Sequence, residues 1–234
     1  MRFGIIVFPG TSSDGDCHHV LKNVLGQEVD VLYSWESKIS SKYDCLILPG
    51  GSSYGNYFRP GAIARFTPIM EEVIKFANEG GLVLGINNGF QILTEAGLLP
   101  GAFMPNKGLK FICKNVFLKV ENNNTPFTGN FTQDHVIQLP VAHSHGAYIC
   151  DQTTLEDLEA NNKIVFRYCT NTGEVSALAN FDGTSNNIAG ITNGEGNVLG
   201  MMPFPERSSE RILGNEDGKE VFTSIINWLK RGRK

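Results

Sequence analysis

The segment with the clearest potential for chemistry is residues 85–89, which reads Gly-Ile-Asn-Asn-Gly. It follows an apolar run typical of a buried strand and precedes a helical stretch, with small residues on either side of Asn87. A sharp strand-to-helix turn of this kind exposes one side chain above the N–H groups of a helix N-terminus, where an oxyanion is stabilised. The amide of Asn87 is not a nucleophile at neutral pH. The spacing is therefore as typical of an ordinary strand-to-helix turn as of a nucleophile elbow.

The elements that would position this turn are short apolar strands alternating with helices. Helical spacing of apolar residues occurs near residues 20–25, over 62–77 and around 90–96. This alternation, with strands apolar on both faces, predicts an α/β protein with a parallel, doubly wound sheet. Ligands in such sheets bind at the carboxyl ends of the strands, which here include 9–10, 49–51 and 87–89. The predicted strands are residues 3–8, 29–33, 45–48 and 82–86.

The second half of the chain has a different pattern, in which short apolar segments alternate with turn clusters. We expect antiparallel strands and hairpins there, with helices at 154–160 and 220–229. Neither an internal repeat nor a low-complexity linker divides the sequence, so a single domain over 1–234 is predicted. The expected strands are residues 111–120, 136–141, 164–168, 175–178 and 188–191.

Composition excludes several classes of protein. The formal net charge is -4, from 20 basic and 24 acidic residues, which offers no broad cationic face for nucleic acid or an anionic membrane. The five cysteines never occur in a CxxC spacing, so a zinc ribbon is not expected. No stretch approaches the 18 apolar residues of a membrane-spanning helix. We expect a cytoplasmic protein without a cofactor.

Residues 84–101 resemble the elbow segment of class I glutamine amidotransferases. Within that family the sequence is most similar to the glutaminase subunits of phosphoribosylformylglycinamidine synthase, a purine-pathway enzyme. The resemblance extends from Val7 to Arg207 and implies a flavodoxin-like fold. The other segments that match the family are residues 7–10, 48–55, 59–66 and 196–207.

The resemblance also implies a catalytic triad of cysteine, histidine and glutamate. The cysteine position is occupied by Asn87, the histidine position by Phe204, and the glutamate is retained as Glu206. Because both the nucleophile and its base are replaced, hydrolysis of glutamine by the usual route is not expected. Gly51 and Asn88 match the family's backbone oxyanion positions, so their N–H groups are expected ligand donors.

The substituted positions carry further structural expectations. Asparagine tolerates left-handed backbone angles, so Asn87 can keep an elbow. The Phe204 ring would make the site drier and smaller, and Glu206 would find another partner or face solvent. Other departures from the family pattern occur in segments expected to meet glutamine or a synthetase. They are Ser12, Ser13, Ser52, Asn56, Ser144 and His145.

The leading interpretation is an inactive amidotransferase-like subunit retained for binding or assembly with a large synthetase subunit and a small accessory subunit. A second interpretation is a remodelled hydrolase or metal site that uses His143, His145 and Glu206. The two histidines are two residues apart on a predicted strand and would project from one face, although such pairs are more often hydrogen-bonded or solvated. A third is a sensor that holds glutamine or an analogue without cleaving it.

Overall fold

A central sheet of nine strands organises the computed structural model, which describes residues 1–39 and 42–232. Its strand order is β2-β1-β3-β4-β11-β10-β9-β6-β7, and β5 and β8 form a separate two-stranded sheet. The strands are β1 (Arg2–Val7), β2 (Glu28–Tyr33), β3 (Cys45–Leu48), β4 (Leu82–Ile86), β5 (Ala102–Met104), β6 (Ile112–Val120), β7 (Val136–His143), β8 (Ala147–Ile149), β9 (Ile164–Cys169), β10 (Ile188–Thr192) and β11 (Val198–Met201).

The first half of the sheet is parallel, as the sequence predicts. Strands β2, β1, β3, β4 and β11 are parallel neighbours, with Phe3 opposite Cys45 and Leu48 opposite Gly85. This is the strand order of a flavodoxin-like doubly wound sheet. Every residue of β3 and β4 is buried, which explains why these strands are continuous apolar runs. The α/β, flavodoxin-like prediction is confirmed.

The second half of the sheet is antiparallel, which is also confirmed. β10 pairs with β11 and β9, and β6 pairs with β9 and β7. The β6–β7 ladder runs from Ile112 opposite His143 to Lys119 opposite Val136. β7 therefore delivers His143 to the same edge of the sheet at which β4 ends.

Helices cover both faces of the sheet. Cys17 and Leu21 in the first helical segment pack with Phe222 and Ile225 of the last helix on one face. Ile69, Met70, Phe90 and Ile92 belong to the apolar cluster on the other face. The helices are α1 (Asp14–His19), continued by a π-helical segment (Val20–Val24), α2 (Pro68–Asn78), α3 (Asn88–Glu95), α4 (Gln152–Ala160) and α5 (Lys219–Gly232). Short 3-10 turns occupy Ser53–Asn56, Ala64–Phe66, Ser185–Asn187, Pro205–Ser208 and Arg211–Leu213.

Two predicted elements differ in the structure. The helix expected over 62–77 begins only at Pro68, because proline disfavours helical angles in the preceding residue, and Thr67 is extended at φ -75° and ψ 150°. The strand expected at 175–178 is irregular. There the carbonyl of Ser176 accepts hydrogen bonds from Asn187 Nδ2 and from the N–H of Ala179, so a turn and a side chain replace a ladder.

The turn between β4 and α3 requires glycine because α3 approaches β3 very closely. A Cβ added at Gly89 would lie 1.9 Å from the carbonyl oxygen of Leu48. A Cβ at Gly85 would lie 2.5 Å from Leu93 Cδ1 and 2.8 Å from the Gly89 backbone. The small residues of the elbow motif are therefore a packing requirement of the fold.

The variant Gly89→Ala is expected to lower the free energy of unfolding by about 1–3 kcal/mol or more, because the added methyl group meets backbone that cannot move aside. Chemical denaturation measures this loss. The matched control is Gly15→Ala in α1, where an added Cβ has nothing within 4 Å. That control should be neutral or slightly more stable, and an equal loss in both variants would contradict the close-approach argument.

Candidate functional site

Three loops meet at the carboxyl ends of β1, β3 and β4. The carbonyl oxygen of Gly50 accepts a 3.0 Å hydrogen bond from the N–H of Ser12, and its N–H donates to Ser13 Oγ at 2.9 Å. The N–H of Ser53 donates to Asn88 Oδ1 at 2.9 Å. These bonds link the β1 and β3 loops to the start of α3 and fix the walls of the site.

Asn87 occupies the tip of the strand-to-helix turn with a strained backbone. Its angles are φ 50° and ψ -105°, a sparsely populated combination for a residue with a side chain. Its N–H donates to the carbonyl oxygen of Met201 on β11 at 2.7 Å, and α3 begins at the next residue. Its side chain is buried, and Nδ2 has no hydrogen-bond partner among the described residues. This geometry is that of an elbow rather than of an ordinary turn.

Two backbone N–H groups beside the elbow are available to a ligand. Gly51 has φ 150°, and Asn88 is the first residue of α3. Within residues 1–39 and 42–232, neither N–H donates a hydrogen bond. The side chain of Asn88 is occupied, because it also donates to Gln91 Oε1 at 2.9 Å. Only the backbone at this position could therefore serve as an oxyanion donor.

The Phe204 ring packs directly against the elbow. Phe204 is buried, and a Cβ added at Gly50 would lie 2.3 Å from its Cε1 atom and 3.2 Å from Asn87 Cβ. The phenyl ring and the Asn87 side chain therefore flank the same glycine. The guanidinium of Arg207 lies 4.2 Å from the centroid of the ring. An aromatic ring without a proton to exchange thus closes the side of the site at which the family resemblance places a base.

Glu206 is buried at 1% exposure, and neither carboxylate oxygen makes a hydrogen bond with a described residue. The turn at Pro205–Ser208 buries it close to α1, so the expectation that it faces solvent is wrong, and the Ser13 hydroxyl is a polar group beside it. Burial raises its pKa to about 7, and the nearby Ser13 hydroxyl offsets this only in part. Burial first, and the Glu206 carboxylate second, raise the pKa of the Cys17 thiol well above its usual value.

The cavity at the elbow is small. Its volume is about 30 Å³, which accommodates one or two water molecules. Pockets for small organic molecules usually measure about 300–1,000 Å³. The lining residues are Gly51, Ser52, Asn56, Asn87, Gln91, Phe111, Ala142, His143, Ser144 and His145.

Sequence reasoning missed Gln91 and Phe111 as lining residues. Gln91 follows Asn87 by one helical turn, and that spacing is the signal that places both on one side of α3. A wider cleft of about 780 Å³ lies at the opposite edge of the sheet. Among its lining amides, Asn197 Nδ2 donates to the carbonyl oxygens of Ala77 and Gly81, so it holds the loops together.

The two histidines do not share a strand face, which corrects the sequence expectation. β7 ends at His143, and the chain turns at Ser144, whose carbonyl oxygen accepts from the N–H of Asn106 at 2.8 Å. His143 is buried, with Nδ1 3.0 Å from Asn106 Oδ1, whereas His145 Nδ1 lies 2.9 Å from Ser144 Oγ. The described part of the chain contains no group of three or more histidine, cysteine or acidic residues arranged to hold a metal ion. None of its helices has the length and apolar composition needed to cross a membrane.

Comparison with known proteins identifies the family to which this fold and site belong. Residues 1–229 match the family described as the CobB/CobQ-like glutamine amidotransferase domain. The phosphoribosylformylglycinamidine synthase subunit PurQ of Moorella thermoacetica is 58% identical over 234 residues, which cover 100% of this chain and 99% of that protein. The subunit of the same name from Alkaliphilus metalliredigens is 52% identical over the same length, covering 100% of this chain and 99% of that protein.

Solved structures agree with the sequence relatives. A chain in the structure of PurLQS from Thermotoga maritima is 43% identical, with a TM-score of 0.85 over 97% of this chain and 98% of that one. A glutamine amidotransferase from Thermotoga maritima shares the fold at 15% identity and a TM-score of 0.57, covering 100% of this chain and 85% of that one. The family match over nearly the whole length, together with relatives of more than 50% identity, shows that this chain belongs to the CobB/CobQ-like glutamine amidotransferase family.

Proposed function

We propose that this chain, as one domain over 1–234, is a glutaminase-family subunit that does not hydrolyse glutamine and acts through binding and assembly. The observation that carries the proposal is the Phe204 ring packed beside the elbow that presents Asn87. An amide cannot form the thioester intermediate of a cysteine nucleophile, and a phenyl ring cannot accept its proton. In a serine triad, loss of either nucleophile or base lowers turnover by about 10⁶, or roughly 8 kcal/mol of barrier.

The isolation of Glu206 supports the same proposal. A triad carboxylate normally orients the imidazole of the base and stabilises its charged form. Glu206 keeps its place without an imidazole, and both oxygens lack hydrogen-bond partners in the described residues. A buried carboxylate without partners is costly, so its position reflects the surrounding scaffold rather than a bond that it makes.

The partner that we propose is a synthetase of the kind with which the relatives assemble. The matched Thermotoga maritima chain belongs to PurLQS, and the relatives are named as synthase subunits. Large apolar side chains are exposed on residues 57–66 and 109–111, of which Phe111 lines the cavity, and we call these exposed side chains the rim. The rim residues and their exposures are Tyr57 73%, Phe58 96%, Phe66 79%, Leu109 83% and Phe111 65%.

The rim has two further properties of a docking surface. Phe58 and Leu109 have φ values of 67° and 52°, which are costly for bulky residues and are found where a function requires a particular side-chain position. Arg65, Lys107 and Lys110 lie next to these apolar residues in sequence, although the chain as a whole carries a net charge of -4. We therefore propose that the rim docks on an apolar and acidic surface of the large synthetase subunit, with the small accessory subunit completing the assembly.

The geometry of the site bears on the two other interpretations, a glutamine sensor and a remodelled hydrolase. A glutamine sensor requires space for glutamine, and a cavity of about 30 Å³ would have to widen before glutamine could bind. A remodelled hydrolase draws support from the 2.9 Å separation of Ser144 Oγ and His145 Nδ1, which is within reach of a nucleophile and its base. His145 Nε2, however, has no carboxylate partner in the described residues to orient the ring.

The unmodified protein is expected to release no glutamate from glutamine above the buffer rate, alone or with its synthetase subunits, in an enzyme-coupled assay. The double variant Asn87→Cys/Phe204→His is expected to hydrolyse glutamine at least about 100-fold faster than either single variant, because only the pair restores nucleophile and base. Turnover by the unmodified protein would contradict the proposal. If that turnover disappeared in Ser144→Ala, the remodelled hydrolase would replace it.

The variant Glu206→Gln tests the isolated carboxylate. The pKa of Glu206 is raised to about 7 in the folded state, so its protonated form stabilises the fold. This contribution is fully present below the pKa of the unfolded chain and is lost as the pH rises through 7. The unmodified protein is therefore expected to lose about 3 kcal/mol of unfolding free energy from this group between pH 4.5 and 8. Denaturation at several pH values should show a flatter profile for Glu206→Gln. The exposed control Glu79→Gln should keep the original slope, and a Glu206→Gln profile as steep as the original would refute the assignment.

The rim is tested by the double variant Phe58→Ala/Leu109→Ala. Because both side chains are exposed, their removal should leave the fold intact and weaken binding to the synthetase subunits by about tenfold or more, as expected for interface anchors. Titration calorimetry with the purified subunits measures the effect. The matched control is Ile212→Ala, a side chain that is 90% exposed outside the rim. Equal affinity of the two variants would place the interface elsewhere.

A further inference from the structure

A buried histidine and a buried aspartate face each other behind the wall of the cavity. His143 Nε2 lies 3.8 Å from Asp182 Oδ2, and the two side chains are 3% and 0% exposed. Neither atom has a hydrogen-bond partner in the described residues. The other oxygen of Asp182 accepts from the N–H of Thr184 at 3.1 Å, so the carboxylate is fixed at one oxygen and open at the other.

The hydrogen bonds of Asn106 determine which nitrogen of His143 carries the proton. Asn106 Nδ2 donates to the carbonyl oxygens of Lys110 and His143, each at 2.8 Å. Its Oδ1 therefore faces the imidazole, and it also accepts from the N–H of Gly146. Because Oδ1 can only accept, Nδ1 must donate at 3.0 Å. The neutral ring is then the Nδ1–H form, and Nε2 presents a lone pair to Asp182.

Two acceptors thus face each other with no donor between them. A single proton would convert this unfavourable contact into a charge-assisted or neutral hydrogen bond. We propose that His143 and Asp182 share one proton taken from solvent, and that the shared proton acts as a latch between the loops that surround the cavity. The step forms one N–H or O–H bond and breaks none in the protein.

The latch joins three segments. Asn106 holds His143, and the carbonyl oxygen of Asp182 accepts from the N–H of Lys107 at 2.7 Å. The segments at 106–110, 143–146 and 182–184 are therefore coupled through the pair. The first of them carries Leu109 of the rim, so closure of the latch should stiffen that part of the rim.

The side chains packed around His143 and Asp182 offset the effect of burial on the Asp182 pKa only in part. The Tyr168 hydroxyl on β9 is buried without a partner, and the Phe181 ring lies between the tyrosine and the histidine, with centroids 4.7 Å and 6.1 Å away. Lys114 on β6 is a cation close to the pair, and its Nζ is 4.1 Å from the centroid of the Phe181 ring. It lowers the pKa of Asp182, but burial dominates and raises that pKa to about 6.

Burial also lowers the pKa of His143 to about 4. Between about pH 4 and 6, the unfolded chain holds one proton on the histidine and the folded chain holds one on the aspartate. Because the proton count is equal, the pair contributes no net slope to stability in this range. Replacing either residue should therefore reveal the pH dependence of the unfolding free energy that the other residue contributes.

Nitrogen NMR of the imidazoles in the full chain tests the latch directly. The His143 Nε2 resonance should shift upfield with a midpoint near pH 6 as the proton enters the pair. In Asp182→Asn this transition should be lost, and in the exposed control Asp134→Asn it should remain. Absence of the transition, or its persistence in Asp182→Asn, would overturn the proposal.

Stability measurements give a second, independent readout. Between about pH 4 and 6, His143→Gln should lose stability as the pH rises, and Asp182→Asn should gain it. Slopes of the same sign in the two variants would overturn the proposal. If Asp182→Asn does not fold, the carboxyl carbon of Asp182 in the unmodified chain still decides the matter: a midpoint near its ordinary value would also overturn the proposal.

Discussion

The close approach of α3 to β3 is the constraint on which the site depends. Gly89 lies so near the carbonyl of Leu48 that no side chain fits, and Gly200 on β11 is covered in the same way by the Phe90 ring, 2.1 Å from an added Cβ. With α3 pressed onto the strands at these points, the chain has one residue in which to change direction. That residue is Asn87, and its strained angles follow from the packing on either side.

This constraint separates the scaffold from the chemistry. The strain at Asn87 costs about 1–3 kcal/mol, and it persists because the glycines and the bond to Met201 leave no alternative path. The free N–H groups of Gly51 and Asn88 follow from the same backbone and do not depend on which side chain occupies the tip. In the function that we propose, replacement of the reactive groups leaves the elbow and its free N–H groups in place, and the Phe204 ring occupies the side at which the family resemblance places a base.

The sequence predicts those parts of the fold that have a local signature. β3 and β4 are recovered to the residue, because β3 is an apolar run between an aspartate and a proline and β4 is one between a glycine and an asparagine. The start of α2 was missed although Pro68 marks it, because the apolar spacing continues through the proline. The pairing of His143 with Asn106 and Asp182 has no local signature. Those contacts join residues on separate loops, and only the antiparallel half of the sheet brings them together.

The buried carboxyls near the cavity bear on the proposed replacement of both the nucleophile and its base. Glu206 and Asp182 are both buried carboxyls, and burial raises the pKa of Glu206 to about 7 and that of Asp182 to about 6. A thiolate at position 87 would add negative charge to this low-dielectric region, so without an imidazolium beside it a cysteine there would remain a neutral, unreactive thiol. With a phenyl ring in the place of a base, as we propose, a nucleophile at the elbow would have no group to activate it. The uncharged amide of Asn87 is compatible with both carboxyls, and the packing of the elbow does not require a reactive side chain at its tip.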